Sequence, residues 1–272
     1  MTGRDAIPGA VYLVGAGPGA ADLITVRGLR LLRTADVVLH DALLCPDLLT
    51  EARPGAELID VGKRGYCVGS TRQEAIHDAL VRYARAGKSV CRLKGGDPCV
   101  FGRGGEEAEA LASAGVPFEV VPGVTASVGA CAAAGIPLTH RAVGQAVALV
   151  AGHHDPDSSD CTLDWDALAR MPAVVFYMAV RHVGGIARKL IASGLPPDTP
   201  AAVVGSGTLP HQRVVTAPLE TVGDAAAQAG VKAPAVLVVG EIVRRRTAPL
   251  APVAPGSAGA TADRTDRAAL PA

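Results

Sequence analysis

Aromatic residues are nearly missing from this chain: its 272 residues include one Trp, four Tyr and three Phe. A core must then be filled by Ala, Val, Leu and Gly, and a hydrophobic share of 49% supplies enough of them for two modest domains. Excess charge is missing too. The 26 Lys and Arg balance 26 Asp and Glu, which leaves no electrostatic footprint for nucleic acid or an anionic membrane surface. No apolar run is long enough to span a bilayer. The opening residues, MTGRDAIPGA, lack the hydrophobic segment of a secretory signal. The six cysteines, at positions 45, 67, 91, 99, 131 and 161, form neither a Cys-x-x-Cys pair nor a disulfide framework. These absences predict a cytoplasmic protein with reduced thiols and no nucleic-acid or membrane partner.

What is present is alternation. In the first half, the short β-branched runs VYLV, DVVLH, ELIDV, SVCRL and FEVV are separated by helical segments. Most runs are apolar on both faces, as in a parallel sheet covered by helices on each side. Thr71 and Glu74 form a capping-box pattern. Ala86-Gly87, Ala114-Gly115 and Ala134-Gly135 each read as a helix end, the last two followed by Pro117 and Pro137. In the second half the runs QAVALVAG, PAVVFYM, PAAVVGSG, QRVVTA and PAVLVVGEIV lie closer together, and AAVVGSGTLPHQRVVTA reads as a hairpin. The expected fold is α/β with two α/β domains, the N-terminal one built on a mostly parallel sheet and the C-terminal one on a mixed sheet. The expected divisions are an extension at 1–10, domains at 11–142 and 143–247, and a disordered Ala/Pro/Gly/Thr-rich tail at 248–272.

Three loops carry the chemistry. The first, Gly15-Ala16-Gly17-Pro18-Gly19, follows an apolar strand, as dinucleotide-binding turns do, and Asp41 after DVVLH stands late for the matching ribose-binding acid. Against that, Pro18 removes an N–H where a phosphate needs donors. The second, Gly95-Gly96-Asp97-Pro98, lies at the end of a strand and leads through FGRGGEE to a helix start bearing Arg103 and Glu106. An acid on a glycine loop suits a ligand with hydroxyl or ammonium donors and suits a phosphate poorly; a tight strand-to-helix connection capped by Asp97 is the alternative. The third turns at Pro122-Gly123 and opens a helix of small residues at Thr125, Ala126 and Ser127. Close helix packing accounts for the Ala/Gly run, and Thr125 is the better ligand candidate. In Gly152–Asp160, His153 and His154 are adjacent and rarely converge on one ion, so a polar loop is expected there and no metal.

Taken in order, VGAGPGAADLITVRG, DVVLHDALL, VGKRG, RLKGGDPCVFGRGGEE, VPGVTAS, GIPLTHR and VVFYM resemble the tetrapyrrole methylase family over about residues 10–245, and within it the branch acting on uroporphyrinogen III. The resemblance implies S-adenosylmethionine as methyl donor, bound in a cleft between the two α/β domains of a homodimer. It assigns Pro18, Gly95, Gly96, Asp97, Val100, Thr125, Ala126, Met178 and Gly207 to the donor, and acid–base roles to Asp41 and Lys63. It further implies sirohaem or cobalamin biosynthesis as the destination. Gly205-Ser206 depart from the pattern the family often has there.

The chemistry is consistent with that implication. Methyl transfer from a sulfonium to carbon is an in-line displacement governed by alignment and water exclusion, with no metal needed. The methylated ring must then lose a proton, a task for a general base. Asp41 has helix capping as its alternative role, and Lys63 a solvated strand end. A substrate ringed by acetates and propionates calls for arginines. Arg103 and Arg141 lie in the matching motifs, Arg64 is a weaker candidate, and Glu106 can orient Arg103 or accept a proton. A sibling methylase, a nicotinamide-dependent oxidoreductase and a non-catalytic tetrapyrrole carrier are the competing readings.

Overall fold

The computed structural model describes residues 5–42, 44–62 and 72–248. Lys63, Arg64, Cys67, Thr71 with its half of the capping box, and all but the first residue of the C-terminal tail lie outside the described residues. The chain runs β1 (Val11–Gly15), α1 (Val26–Thr34), β2 (Val37–His40), α2 (Pro46–Leu49), β3 (Glu57–Asp60), α3 (Gln73–Arg85), β4 (Val90–Lys94), α4 (Gly104–Ser113), β5 (Phe118–Val121) and α5 (Ala126–Ala133). It continues with β6 (Ala148–Ala151), α6 (Trp165–Ala169), β7 (Val174–Tyr177), α7 (Val183–Ala192), β8 (Pro200–Gly205), β9 (Arg213–Pro218), α8 (Val222–Gln228) and β10 (Ala235–Val239).

The first sheet has the order β3-β2-β4-β1-β5 and every pairing is parallel. Its strands alternate their burial. Val11 and Leu13 join Ile76, Leu80 and Leu111 on the face covered by α3 and α4. Tyr12 and Val14 join Leu31, Leu32 and Leu48 under α1 and α2. Because all strands point one way, the loops after β1, β2, β4 and β5 gather at one edge, where open α/β sheets hold ligands. The second sheet, β6-β7-β10-β8-β9, is mixed: β6 and β7 are parallel, and the other pairings, including the expected β8–β9 hairpin, are antiparallel.

Glycines end the helices as read. Gly87, Gly115 and Gly135 have φ of +75°, +67° and +72°. In each case the next N–H reaches back to a carbonyl in the last turn, as in Lys88 N–H to Tyr83 O at 3.1 Å. Helix α5 follows the last strand of the first sheet, yet its Ala130 and Cys131, with Ala134 and Ile136 just beyond it, pack on Val175, Val204, Val236 and Val238 of the second. The far face of that sheet is closed by α6, α7 and α8. Burial pushes the Cys91 and Cys131 thiols up to about 12, so both stay protonated at neutral pH; Cys99 is exposed.

Candidate active site

The three glycine loops meet backbone to backbone. Gly17 and Gly96 exchange hydrogen bonds, Gly17 N–H to Gly96 O at 3.2 Å and Gly96 N–H to Gly17 O at 2.7 Å. A methyl on Gly123 would fall 2.2 Å from Gly96 O, so nothing larger than hydrogen fits where the second and third loops touch. Asp97 ties the same loops from the side: its Oδ1 accepts from Cys99 N–H at 2.8 Å and its Oδ2 from Gly123 N–H at 3.0 Å. Asp97 thus spans two loops as well as capping its own turn.

Gly95 and Gly96 differ from that crowded junction. A methyl on Gly95 would meet nothing within 4 Å. Gly96 has φ +68°, and its methyl would make ordinary van der Waals contact with Ala126 N at 3.7 Å and Thr125 Cα at 3.8 Å. The two glycines therefore border a hollow facing the first turn of α5. Pro18 forms a wall beside that helix, with its Cγ 2.3 Å from where a Gly129 methyl would stand. Gly207 abuts the helix at Ala130. Its neighbour Thr208 accepts from Ala20 N–H at 2.9 Å, closing the first turn against the second sheet.

Tyr177 joins the halves. Its hydroxyl shares a 2.8 Å hydrogen bond with Thr125 Oγ1, accepts from Ser127 N–H at 3.1 Å and donates to Ser127 Oγ at 2.6 Å. Thr125 is the N-cap of α5, but its side chain serves Tyr177 rather than the helix. Phe101 packs on the Tyr177 ring at 4.8 Å between centroids. Among the described residues, the non-glycines with positive φ are Phe101, Arg103, Met178, Ser206 and Thr208. All belong to the second loop, the end of β7 or the β8–β9 turn, and strained backbone concentrated this way marks a site held in shape by its surroundings. Met178 is 52% exposed there. Tyr177→Phe is expected to leave the buried Ser127 N–H unpaired and cost about 1–3 kcal/mol, read as a lower midpoint in thermal unfolding with weaker binding of S-adenosylhomocysteine.

Asp41 does not cap α2, which starts at Pro46. Its Oδ1 accepts from Arg92 Nη2 at 2.5 Å, and its Oδ2 lies 3.4 Å from Gly95 N, on the bordering loop. Behind it stands a cluster that sequence reading missed. Arg92 Nε, Lys94 Nζ and Gln73 Nε2 all donate to Glu107 Oε1, at 3.2, 2.9 and 3.2 Å. Burial, then the Arg92 charge, holds the Lys94 ammonium below its usual range. The signal was available: Arg92 and Lys94 are two residues apart in an otherwise apolar strand, hence on one face, and two buried cations require an anion.

Arg103 and Glu106 form an exposed two-point pair, Nε to Oε1 at 2.8 Å and Nη2 to Oε2 at 2.6 Å. Glu106 therefore orients the guanidinium and leaves its Nη1 side unused by this pair. Arg141 is exposed in the turn closed by His140 and Gly144; no hydrogen bond or ion pair joins it to Arg103. Val100 packs at the margin of the core that α5 shares with the second sheet. In the Gly152–Asp160 loop, Asp157 binds Lys189 at 2.7 Å, and the His153 and His154 rings lie 3.9 Å apart. No group of three or more His, Cys, Asp or Glu suited to a metal occurs among the described residues.

A parallel sheet with glycine loops at its carboxyl edge, joined through one helix to a mixed sheet, is the arrangement of the methyltransferase family whose model, Tetrapyrrole (Corrin/Porphyrin) Methylases, matches residues 10–223. The chain belongs to that family. It is 48% identical over 241 residues to a uroporphyrinogen-III C-methyltransferase of Sinorhizobium sp, covering 88% of this chain and 86% of that one. It is 52% identical over 240 residues to the siroheme synthase of Stutzerimonas stutzeri, covering 88% of this chain but 51% of the relative, so it spans about half the length of that protein. A solved structure of uroporphyrin-III C-methyltransferase from Thermus thermophilus, complexed with S-adenosylhomocysteine, superposes with a TM-score of 0.73 at 43% identity, covering 86% of this chain and 99% of that one.

Proposed function

We propose that this protein is an S-adenosylmethionine-dependent C-methyltransferase that converts uroporphyrinogen III to precorrin-2 by two successive methylations, serving sirohaem or cobalamin biosynthesis. The observation carrying this is the 48% identity to the Sinorhizobium uroporphyrinogen-III C-methyltransferase across 86% of its length. The hollow beside Gly95 and Gly96 fits the donor. It is bordered by Gly95, whose methyl would meet nothing within 4 Å, by Gly96, whose methyl would clash with nothing, and by a helix start whose N-cap hydroxyl is turned aside.

In this reading the second loop and the start of α5, through Gly95, Gly96, Asp97, Val100, Thr125 and Ala126, hold the donor. Pro18 lines one side; Met178 and Gly207 approach from the second sheet. The donor when bound supplies an electrophilic methyl on sulfur. The chain's own work is alignment and water exclusion, for which correct placement is worth about 7–11 kcal/mol. Asp41, held by Arg92 beside Gly95, takes the proton that the methylated pyrrole carbon must release. Lys63 is the proposed proton donor. Arg103, oriented by Glu106, and Arg141 take substrate carboxylates. The enzyme works as a homodimer in the cytoplasm. No helix among the described residues is long and apolar enough to cross a membrane.

The test is anaerobic incubation with uroporphyrinogen III and labelled donor, followed by mass analysis. Two added methyls are expected. None on uroporphyrinogen III, with transfer to another corrinoid precursor, would replace the substrate assignment.

A further inference from the structure

The cluster behind Asp41 is costly for a stability device. Arg92, Lys94 and Glu107 are 3%, 2% and 0% exposed at their side chains, while Asp41 at the rim is 31% exposed. Two cations and two anions cancel, but well-packed apolar residues often serve a core as well as a buried ion group does. The satisfaction is also uneven. Glu107 Oε1 takes all three donors, and Oε2, buried, has no hydrogen-bond partner among the described residues. A folding device would not concentrate its donors on one oxygen. The pattern does make sense for holding Arg92.

Arg92 divides its planar fork among three directions. Nε goes to Glu107. Nη1 reaches the carbonyls of Leu39 and Leu93, at 3.5 and 3.3 Å, and Nη2 goes to Asp41. These carbonyls belong to β2 and β4, the strands whose ends carry Asp41 and the glycine loop. The guanidinium cannot rotate without losing all three, so it transmits the position of a buried anchor to a rim carboxylate. Lys94 holds the anchor from the last residue of β4, next to Gly95.

We infer that Arg92, anchored by Glu107 and Lys94, is a positioning residue that fixes the Asp41 carboxylate beside Gly95 for its proton-transfer step. The inference rests on the proposed reaction and on Asp41 as its base. Arg92 is buried behind the more exposed Asp41 and acts through it.

The experiment is a double-mutant cycle in the full chain, with kcat, KM for uroporphyrinogen III and the Kd of S-adenosylhomocysteine measured for each variant. Arg92→Gln should lower kcat about thirtyfold, as expected when a reacting group loses its alignment, with KM and Kd within about threefold of wild type. In an Asp41→Asn background the same change should cost less than about threefold, because there is no base left to position. Arg92→Lys should recover only part of kcat, since a point charge cannot reach Glu107 and Asp41 together. If Arg92→Gln does not fold, Glu107→Gln, which keeps the shape and removes the anchor's charge, is put through the same cycle. Equal losses in both backgrounds, or a loss of S-adenosylhomocysteine binding, would overturn the inference while leaving the reaction standing. A wild-type enzyme that adds no methyl to uroporphyrinogen III would overturn the reaction, and the inference with it.

Discussion

Gly96→Val is expected to abolish binding of S-adenosylhomocysteine in a chain that still folds. The argument has two parts. Valine at φ +68° is strained, at roughly 1–2 kcal/mol, which a folded domain of this size can absorb. Its methyls then enter the hollow, within reach of Ala126 N and Thr125 Cα, where the donor would lie. Affinity should fall at least about a hundredfold, or about 2.7 kcal/mol. Gly123→Ala supplies the contrast. Its methyl would meet the Gly96 carbonyl at 2.2 Å and the Gly15 backbone at 2.8 Å, so the loss should appear in stability first. Calorimetry with S-adenosylhomocysteine and thermal unfolding of both variants separate the cases. Unchanged affinity in Gly96→Val would remove the second loop from the donor site.

Arg103→Ala and Arg141→Ala should each weaken tetrapyrrole handling by roughly ten- to a hundredfold and hardly alter donor affinity. A charged guanidinium–carboxylate hydrogen bond is worth about 1.5–3 kcal/mol, which sets that range. The pairing of Arg103 with Glu106 refines the expectation. Both side chains are about half exposed, so the pair itself adds little stability, and Glu106→Gln should raise KM for the tetrapyrrole by letting the guanidinium wander. Lysine at either position should rescue only in part, and added salt should raise KM for the tetrapyrrole more than for the donor. Steady-state kinetics varying each substrate in turn, with donor affinity measured separately, tests this. Equal loss of donor and tetrapyrrole binding would make both arginines structural.

The ten strands were legible because each is a short, concentrated run. VYLV and VCRLK are buried on both faces, as parallel central strands must be. The edge strand Glu57–Asp60 was readable from its β-branched and apolar centre although most of it is exposed. Helix ends were legible where glycine supplies a positive φ. The loops of the site were readable as loops, since glycine and proline are local signals. What joins them was not. Tyr177 meets Thr125 and Ser127 across some fifty positions of sequence, and no local pattern announces that. Positive φ at Phe101, Arg103 and Met178 is imposed by packing on residues that do not favour it. Among adjacent glutamates, reading favoured Glu106; the helix turns Glu107 inward to the buried cations and Glu106 outward to Arg103.

Helix α5 has a consequence for how the molecule comes apart. Its chain position puts it with the first sheet, but Ala130, Cys131, Ala134 and Ile136 are buried in the core of the second. A fragment ending near residue 142 would carry this apolar surface uncovered, and a fragment beginning there would lack part of its own lining. The two halves are then expected to unfold as one cooperative unit, with a single transition in denaturant, and neither is a natural candidate for expression alone. A protease nick in the 139–145 connection has a different result: α5 stays seated, the Tyr177 hydrogen bonds persist, and the two pieces travel together until denaturant separates them.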